Sequence, residues 1–237
     1  GFNSFDSYRS DLTEDKAYAL MDVMAKKYLP FGYDYFVMDA GWYTTMNPAK
    51  HKGLGLESFG MCVVHPTRFP NGIKALSNHA HKKGLKFGLH LMRGAIKQAI
   101  KENCIVKGTN IPIKDIVDTL SICTWSSMSY GVDMNKPGSY EFYKSIIDKL
   151  ASWGVDFIKY DDITGMPEEI NAITKAIKEN GRQIALSLSP GEDTKNEFLH
   201  YYQNCNALRI TQDIWDNQRS IDKSFAAMKE FQGHGFP

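Results

Sequence analysis

Short apolar runs recur along the chain, and each ends at a polar residue. The runs cover residues 35–38, 85–89, 155–160, 184–188 and 207–211. Runs of this length and composition are typical of buried parallel strands. Residues 1–6 are interpreted as the tail of an earlier strand, because Asn3, Ser4 and Asp6 favour a turn. The pattern therefore predicts six strands.

Helical patterns separate these strands. Apolar residues recur at helical spacing in residues 13–28, 73–82, 139–153, 167–181, 194–202 and 220–231. The connections are too long for hairpins, so the strands are predicted to be parallel with right-handed crossovers.

Two architectures fit this alternation, a doubly wound open sheet and a (β/α)₈ TIM barrel. A barrel draws its reactive groups from the carboxyl ends of several strands, and nearly every predicted strand here ends at such a residue. A dinucleotide-binding sheet would show a G-x-G-x-x-G turn after its first strand, and the sequence has none. The pattern favours the barrel.

About six βα units are present where a full barrel needs eight. We therefore expect residues 1–237 to form one catalytic barrel domain, incomplete at its C-terminus, with further strands beyond Pro237. Residues 91–138 form one long insertion after the third strand, and insertions of this length usually serve function.

Composition narrows the classes of function. The 237 residues are 43% hydrophobic and 23% charged, with a formal net charge of +1, and the charges are intermixed. This composition excludes a disordered chain, and the intermixed charges do not form the basic patch that binds nucleic acid. No apolar run is long enough for membrane insertion, and residues 1–6 do not form a signal peptide. The four cysteines lack metal-binding spacing, so buried free thiols are favoured over disulfides.

Two carboxylates at strand ends suit glycoside hydrolysis. Asp161 and Asp213 end the fourth and sixth strands, so in a barrel they face each other across its mouth. A retaining glycosidase needs such a pair about 5 Å apart, one as nucleophile and one as acid/base. Lys159 lies two residues before Asp161 and can keep it ionised, while Arg209 can orient Asp213 or bind sugar hydroxyls. This chemistry requires no cofactor and no metal.

Other interpretations remain open. A single Asp at a strand end is commonly a turn or cap residue, although three at matching positions, with Asp39 as the third, favour a site. His90 is equally compatible with a structural role. The tryptophans are compatible with core positions or with stacking on a sugar ring, and they are Trp42, Trp125 and Trp215. A metal-dependent barrel enzyme and a non-catalytic sugar-binding barrel are the competing functions.

Several segments resemble the α-galactosidases of glycoside hydrolase family 27. Residues 1–6, GFNSFD, are similar to their GWNSW opening, residues 37–42 to their DDxW segment, and residues 84–88 to their GLKxG entry to strand three. The most specific match is WGVDFIKYD at residues 153–161, which is similar to the family's WGVDxxKxD segment. Residues 209–214 resemble its RxxxDI segment, and residues 233–237 the start of its GHWxDPD stretch.

The resemblance implies a retaining α-galactosidase with Asp161 as nucleophile and Asp213 as acid/base. It implies sugar contacts by Asp39, Lys159 and Arg209, and we further expect Phe5, Trp42, His90 and Arg93 to contact the oligosaccharide or glycoside substrate. It also implies a secreted or periplasmic protein that carries a C-terminal β-sandwich domain outside this chain.

Departures from the family pattern bear on the sugar. The family holds the 4- and 6-hydroxyls with two adjacent acids, and Ala40 replaces the second one. His90 stands where tyrosine is common, residues 187–191 read SLSPG where a Cys-Glu-Trp type segment is expected, and Arg93 is a candidate replacement contact. An α-galactoside is the first expectation, and an α-glucoside or a β-L-arabinopyranoside comes next.

Overall fold

The structure is a computed structural model that describes residues 1–43, 55–191 and 194–234. The described strands are β1 (Phe2–Asn3), β2 (Tyr35–Met38), β3 (Lys86–Met92), β4 (Ala95–Ile96), β5 (Val117–Ile122), β6 (Ser129–Val132), β7 (Phe157–Asp161), β8 (Ala185–Leu188) and β9 (Ala207–Leu208). The described α-helices are α1 (Phe5–Tyr8), α2 (Glu14–Lys27), α3 (Gly72–Lys82), α4 (Lys97–Lys101), α5 (Ser139–Ser152), α6 (Pro167–Asn180), α7 (Leu199–Tyr202) and α8 (Gln218–Glu230). No described helix is both long and apolar enough to cross a membrane.

The main sheet has six parallel strands in the order β1-β2-β3-β7-β8-β9. Apart from β4, β5 and β6, which belong to the insertion, neighbours in the sheet follow one another in the chain. This is the strand order of a (β/α)₈ barrel, and the six strands form a curled half-barrel. The predicted fold class and the number of βα units are confirmed.

Two predicted elements were too long. The last predicted strand, 207–211, pairs with β8 only over Ala207 and Leu208. The predicted helix 194–202 contains a 3₁₀ turn at Asn196–Phe198 and a short α-helix, α7. In the helical segment, Thr194 and Asn196 have low helix propensity, so local propensity outweighed the apolar pattern there.

Strand residues alternate between the barrel interior and the helix layer. In β7, Phe157, Lys159 and Asp161 line the interior cavity, while Ile158 and Tyr160 are buried on the opposite face. This is the period of two that a pleated strand imposes. The apolar faces of α3, α5 and α6 cover the outward strand face, with Leu76, Ile147 and Ile173 fully buried.

The insertion carries a small sheet of its own. Strands β4, β6 and β5 pair antiparallel in that order, at the carboxyl end of β3. Cys62, Cys104, Cys123 and Cys205 are buried free thiols, as predicted. The insertion is thus a folded layer beside the barrel mouth.

Candidate active site

One open cavity of about 1590 Å³ runs along the inner face of the strands. It extends from Tyr35 and Phe157 at their amino ends to Asp39 and Asp161 at their carboxyl ends. Seven predicted site residues line it: Phe5, Asp39, His90, Lys159, Asp161, Arg209 and Asp213. The described part of the chain contains no cluster of His, Cys, Asp and Glu suited to a metal ion. The structure therefore brings most of the predicted site together.

Asp161 ends β7 with its side chain directed into the cavity. Its Oδ2 atom lies 2.8 Å from Nε2 of His90 and 3.6 Å from Nζ of Lys159. Its Oδ1 atom is buried, and the side chain of Ser189 also favours the ionised carboxylate. Burial opposes ionisation, but His90 and Lys159 outweigh it and hold the pKa of Asp161 well below its usual range. His90 and Lys159 thus hold the Asp161 carboxylate in its ionised form.

Asp39 directly follows β2 and lines the same cavity as Asp161. Its Oδ2 atom accepts hydrogen bonds from Lys159 Nζ at 2.8 Å and from Asn3 Nδ2 at 2.7 Å. Burial opposes its charge, but His90 and Lys159 lower the pKa of Asp39. Lys159 therefore bridges Asp39 and Asp161, and it links the end of β2 to the end of β7.

Asp213 lies beyond the end of β9 and is more exposed than Asp161, with 57% of its side chain accessible. Arg209 donates from Nη2 to Asp213 Oδ1 at 2.6 Å and from Nη1 to Ser189 Oγ at 2.9 Å. Arg209 thereby ties Asp213 to the end of β8. The two candidate catalytic carboxylates share one cavity in different surroundings, one buried and the other open to solvent.

Among the cavity residues that were not predicted from the sequence, Tyr43 and Asn3 contact predicted ones. Tyr43 lines the cavity with its ring stacked on His90 at 6.5 Å between centroids. Asn3 contacts Asp39 and also lines the cavity. A signal for Asn3 was available, because it lies in the segment that resembles the family opening. Tyr43 offered no comparable signal, since it follows the matched segment.

Trp42 and Arg93 were expected to contact the sugar, but the structure places both side chains away from the cavity. Neither lines the cavity, and their exposed fractions are 1% and 2%. Trp42 packs in the core and donates from Nε1 to the carbonyl of His90 at 2.8 Å. Arg93 follows the strand alternation: His90 and Met92 face the interior, so Arg93 faces outward. The alternation was legible in the sequence and gave the signal that was missed.

Arg93 instead enters a buried ionic cluster behind the site. Its Nη2 atom lies 2.9 Å from Asp162 Oδ2, and its Nη1 atom lies 3.2 Å from Glu169 Oε1. Tyr143 donates its hydroxyl to the other oxygen of Glu169. Burial raises the pKa of Glu169 to about 7 and outweighs the opposing effects of Arg93 and Tyr143. One cation therefore faces two carboxyl groups, and one of the two readily keeps its proton.

We expect Glu169→Gln to flatten the pH dependence of stability. The pKa of Glu169 is about 7 in the folded protein against an ordinary value of 4.5, so between these pH values native Glu169 retains a proton that the unfolded chain has released. The free energy of unfolding therefore falls as the pH rises from about 4.5 to 7, by on the order of 3 kcal/mol. Glutamine cannot titrate, so this contribution is lost. The groups facing Glu169 are Arg93, Tyr143, Tyr160 and Asp162.

Urea unfolding of both proteins at pH 5 and pH 8 checks this expectation. Glu168→Gln, at the exposed neighbouring position of α6, is the matched control. Equal pH dependence in the wild type and in Glu169→Gln would contradict it.

Comparison with known proteins places the chain in a family. The sequence profile of the Melibiase family matches residues 2–189. Alpha-galactosidase 3 of Hypocrea jecorina is 31% identical over 170 residues, which are 67% of this chain and 25% of that protein. The chain thus spans only part of the length of this relative.

Two solved structures share the fold over nearly the whole chain. A GH27 β-L-arabinopyranosidase from Geobacillus stearothermophilus is 37% identical with a TM-score of 0.89, over 98% of this chain and 57% of that one. A putative α-N-acetylgalactosaminidase from Bacillus halodurans is 35% identical with a TM-score of 0.84, over 99% of this chain and 56% of that one. Together with the profile match over most of the chain, these similarities confirm the resemblance drawn from the motifs, and the chain belongs to the Melibiase family, glycoside hydrolase family 27.

Proposed function

We propose that the protein is a retaining glycosidase that releases a terminal α-galactosyl unit. Asp161 attacks the anomeric carbon while Asp213 protonates the departing glycosidic oxygen, which leaves a covalent glycosyl-enzyme. Asp213 then removes a proton from water, whose oxygen replaces Asp161 on the anomeric carbon. Two displacements return the starting configuration and regenerate both carboxyl groups.

One observation carries this proposal: the carboxylate of Asp161, which His90 and Lys159 hold, belongs to a residue that lines the same cavity as Asp213. A nucleophile must be ionised, and His90 and Lys159 favour the ionised form of Asp161. An acid/base residue exchanges protons with water in every cycle, which suits the more exposed Asp213. The difference in surroundings supports different roles for two residues of the same type.

The sugar is proposed from the groups on the cavity floor. Asp39 and Lys159 present a carboxylate and an ammonium group on one wall, both able to bind hydroxyls that point in the same direction. Relatives named α-galactosidase recur among the similar proteins. We therefore place an α-galactoside first among substrates.

A β-L-arabinopyranoside is the second candidate, and Ala40 is the observation that favours it. This sugar presents the same ring hydroxyls as an α-galactoside but lacks the 6-hydroxymethyl group. Ala40 lines the cavity beside Asp39 and offers a methyl group in place of a second acid. The similar solved structure from Geobacillus stearothermophilus is described as a β-L-arabinopyranosidase.

We expect Ala40→Asp to shift selectivity toward the galactoside. A carboxylate at position 40 would gain a charged hydrogen bond to the hydroxyl groups of galactose, worth about 1 to 3 kcal/mol. The measurement is kcat/KM for matched aryl α-galactoside, α-glucoside and β-L-arabinopyranoside in both proteins. Ala40→Asn is the control, because asparagine has the size of aspartate without its charge. It should shift the ratios less than Ala40→Asp does. Unchanged ratios in Ala40→Asp would show that position 40 does not face the sugar.

The proposed activity is tested with the full-length protein and an aryl α-galactoside, following the first-formed sugar by proton NMR. The α-anomer should appear first, and activity should survive chelation of divalent metals. A first-formed β-anomer would indicate inversion, loss of activity on chelation would favour a metal-dependent enzyme, and absence of turnover across a glycoside panel would favour a sugar-binding protein.

For the whole protein we also propose a secreted or periplasmic location and a C-terminal β-sandwich domain. Both follow from family membership alone. Fractionation of the source cells tests the first, and limited proteolysis of the full-length protein tests the second.

A further inference from the structure

We propose that Arg93 and Asp162 form a positioning clamp that fixes the peptide carrying the candidate nucleophile Asp161. The inference rests on the proposed function and extends it to residues outside the cavity. Neither Arg93 nor Asp162 lines the cavity, so they act through Asp161 rather than on the substrate.

The clamp holds both sides of the Asp161–Asp162 peptide. The backbone N–H of Arg93 donates to the carbonyl of Asp161 at 3.1 Å. The guanidinium of Arg93 donates from Nε at 3.0 Å and contacts from Nη2 at 2.9 Å the same Asp162 oxygen, Oδ2. One residue thereby grips the chain at the carbonyl of the nucleophile and at the next side chain.

Asp162 adopts a backbone conformation that requires such support. Its φ angle is +61°, in the left-handed region that residues with a side chain rarely occupy. This turn ends β7 directly after Asp161, so the angle at which the nucleophile enters the cavity depends on it. The ion pair with Arg93 compensates for the unfavourable backbone conformation.

Space for the pair exists because two neighbouring positions lack a side chain. A Cβ atom at Gly191 would lie 1.6 Å from Asp162 Oδ1, and one at Gly131 would lie 2.5 Å from Arg93 Nη1. Either contact is far inside van der Waals distance. The surrounding loops therefore accommodate this one arrangement of the two charged groups.

Further contacts prevent the guanidinium from turning toward the cavity. Nη1 of Arg93 donates to Ser121 Oγ at 3.0 Å and to Glu169 Oε1 at 3.2 Å, and Ser129 Oγ donates to the carbonyl of Arg93 at 2.8 Å. These partners lie on β5, α6 and β6. Arg93 thus ties the nucleophile-bearing strand to the insertion and to the helix layer.

The test uses the full-length protein as wild type, Arg93→Lys and Asp162→Asn. Lysine keeps the charge but loses the planar fork, while asparagine keeps the shape and tolerates a left-handed φ angle without the charge. Arg182→Lys is the matched control, because Arg182 pairs with Asp156 at the opposite end of β7, 2.6 Å between Nη2 and Oδ1. Both arginines thus anchor the same strand by a guanidinium–carboxylate pair.

Four quantities separate positioning from a merely structural role. A 2-deoxy-2-fluoro-galactosyl fluoride, which traps the glycosyl-enzyme, counts active sites. The other three quantities are kcat per counted site, KM together with the inhibition constant Ki of free galactose, and the midpoint temperature of thermal unfolding. We expect Arg93→Lys to lower kcat per site by roughly 10- to 100-fold, the scale of a misplaced catalytic group. Asp162→Asn should lower kcat per site by about 10-fold. In both variants the Ki of free galactose should stay within about 2-fold of the wild-type value. Arg182→Lys should retain the wild-type kcat per site.

Each other outcome overturns a specific statement. Unchanged kcat per counted site in Arg93→Lys and Asp162→Asn would overturn the clamp, and a weakened Ki with unchanged kcat would make Arg93 a sugar contact instead. If Arg93→Lys does not fold, Asp162→Asn alone decides between these outcomes. A wild type that neither turns over nor is labelled overturns the proposed function and this inference with it, whereas an active wild type with unaffected variants overturns the clamp alone.

Discussion

The Asp161→Asn protein should lose turnover of every glycoside, by roughly 10⁴- to 10⁶-fold, the scale seen when a catalytic nucleophile is removed. An amide is a poor nucleophile, so no covalent glycosyl-enzyme forms through position 161. The loss should be the same for good and poor leaving groups, because the attacking group itself is missing. Steady-state kinetics with a series of aryl glycosides measures this, and circular dichroism checks that the fold is retained.

External azide provides the control for Asp161. In Asp161→Ala the cavity gains room beside the anomeric carbon, and azide should restore release of the aryl group while forming a glycosyl azide of inverted configuration. Turnover by Asp161→Asn at a tenth of the wild-type rate or more would assign the nucleophile to another residue.

Replacement of Asp213 by alanine should produce a loss that depends on the leaving group. Release of a poor leaving group needs a proton, so kcat/KM should fall by roughly 10²- to 10⁴-fold for such substrates. A dinitrophenyl glycoside or a glycosyl fluoride needs little protonation, and its kcat/KM should stay near the wild-type value. Its kcat should still fall, because Asp213 also activates the water of the second step.

A plot of log kcat/KM against leaving-group pKa distinguishes the two roles. The slope should become steeper in Asp213→Ala and remain as in the wild type for Ala226→Ser, a change at a cavity-lining position of α8 that carries no titratable group. Parallel lines for the wild type and Asp213→Ala would exclude position 213 as the acid.

The sequence predicted much of the site because strand ends are legible as short apolar runs that stop at a polar residue. Asp39, His90 and Asp161 each follow such a run, and parallel strands bring those ends to one edge. Lys159 was predictable from the period of two, since it lies on the same strand face as Asp161. For these residues, local pattern and topology together determine position.

Residues outside a strand were harder to place. Arg93 lies one residue past β3, and its partners Asp162 and Glu169 are 69 and 76 residues away in the chain. The strand alternation indicates that its side chain faces outward. Its partners could not be predicted from the sequence, because they lie on elements that only the packing brings next to it. For Trp42, the sequence was compatible with a sugar contact and with a core position, and the structure shows the core position. Residues 44–54, 192–193 and 235–237, which include the end of the GHWxDPD-like segment, lie outside the described part of the chain.

The buried arrangement around Asp162 has a consequence for engineering. Residues 95–132 form a folded layer beside the mouth, and this layer is an attractive target for libraries that seek new leaving-group preferences. Ser121, Ser129 and Gly131 within it are shared with the support of the candidate nucleophile. If this layer is replaced by that of a relative, the new layer must therefore supply its own hydrogen-bond partners for Arg93. If the layer is randomised instead, those three positions must remain unchanged.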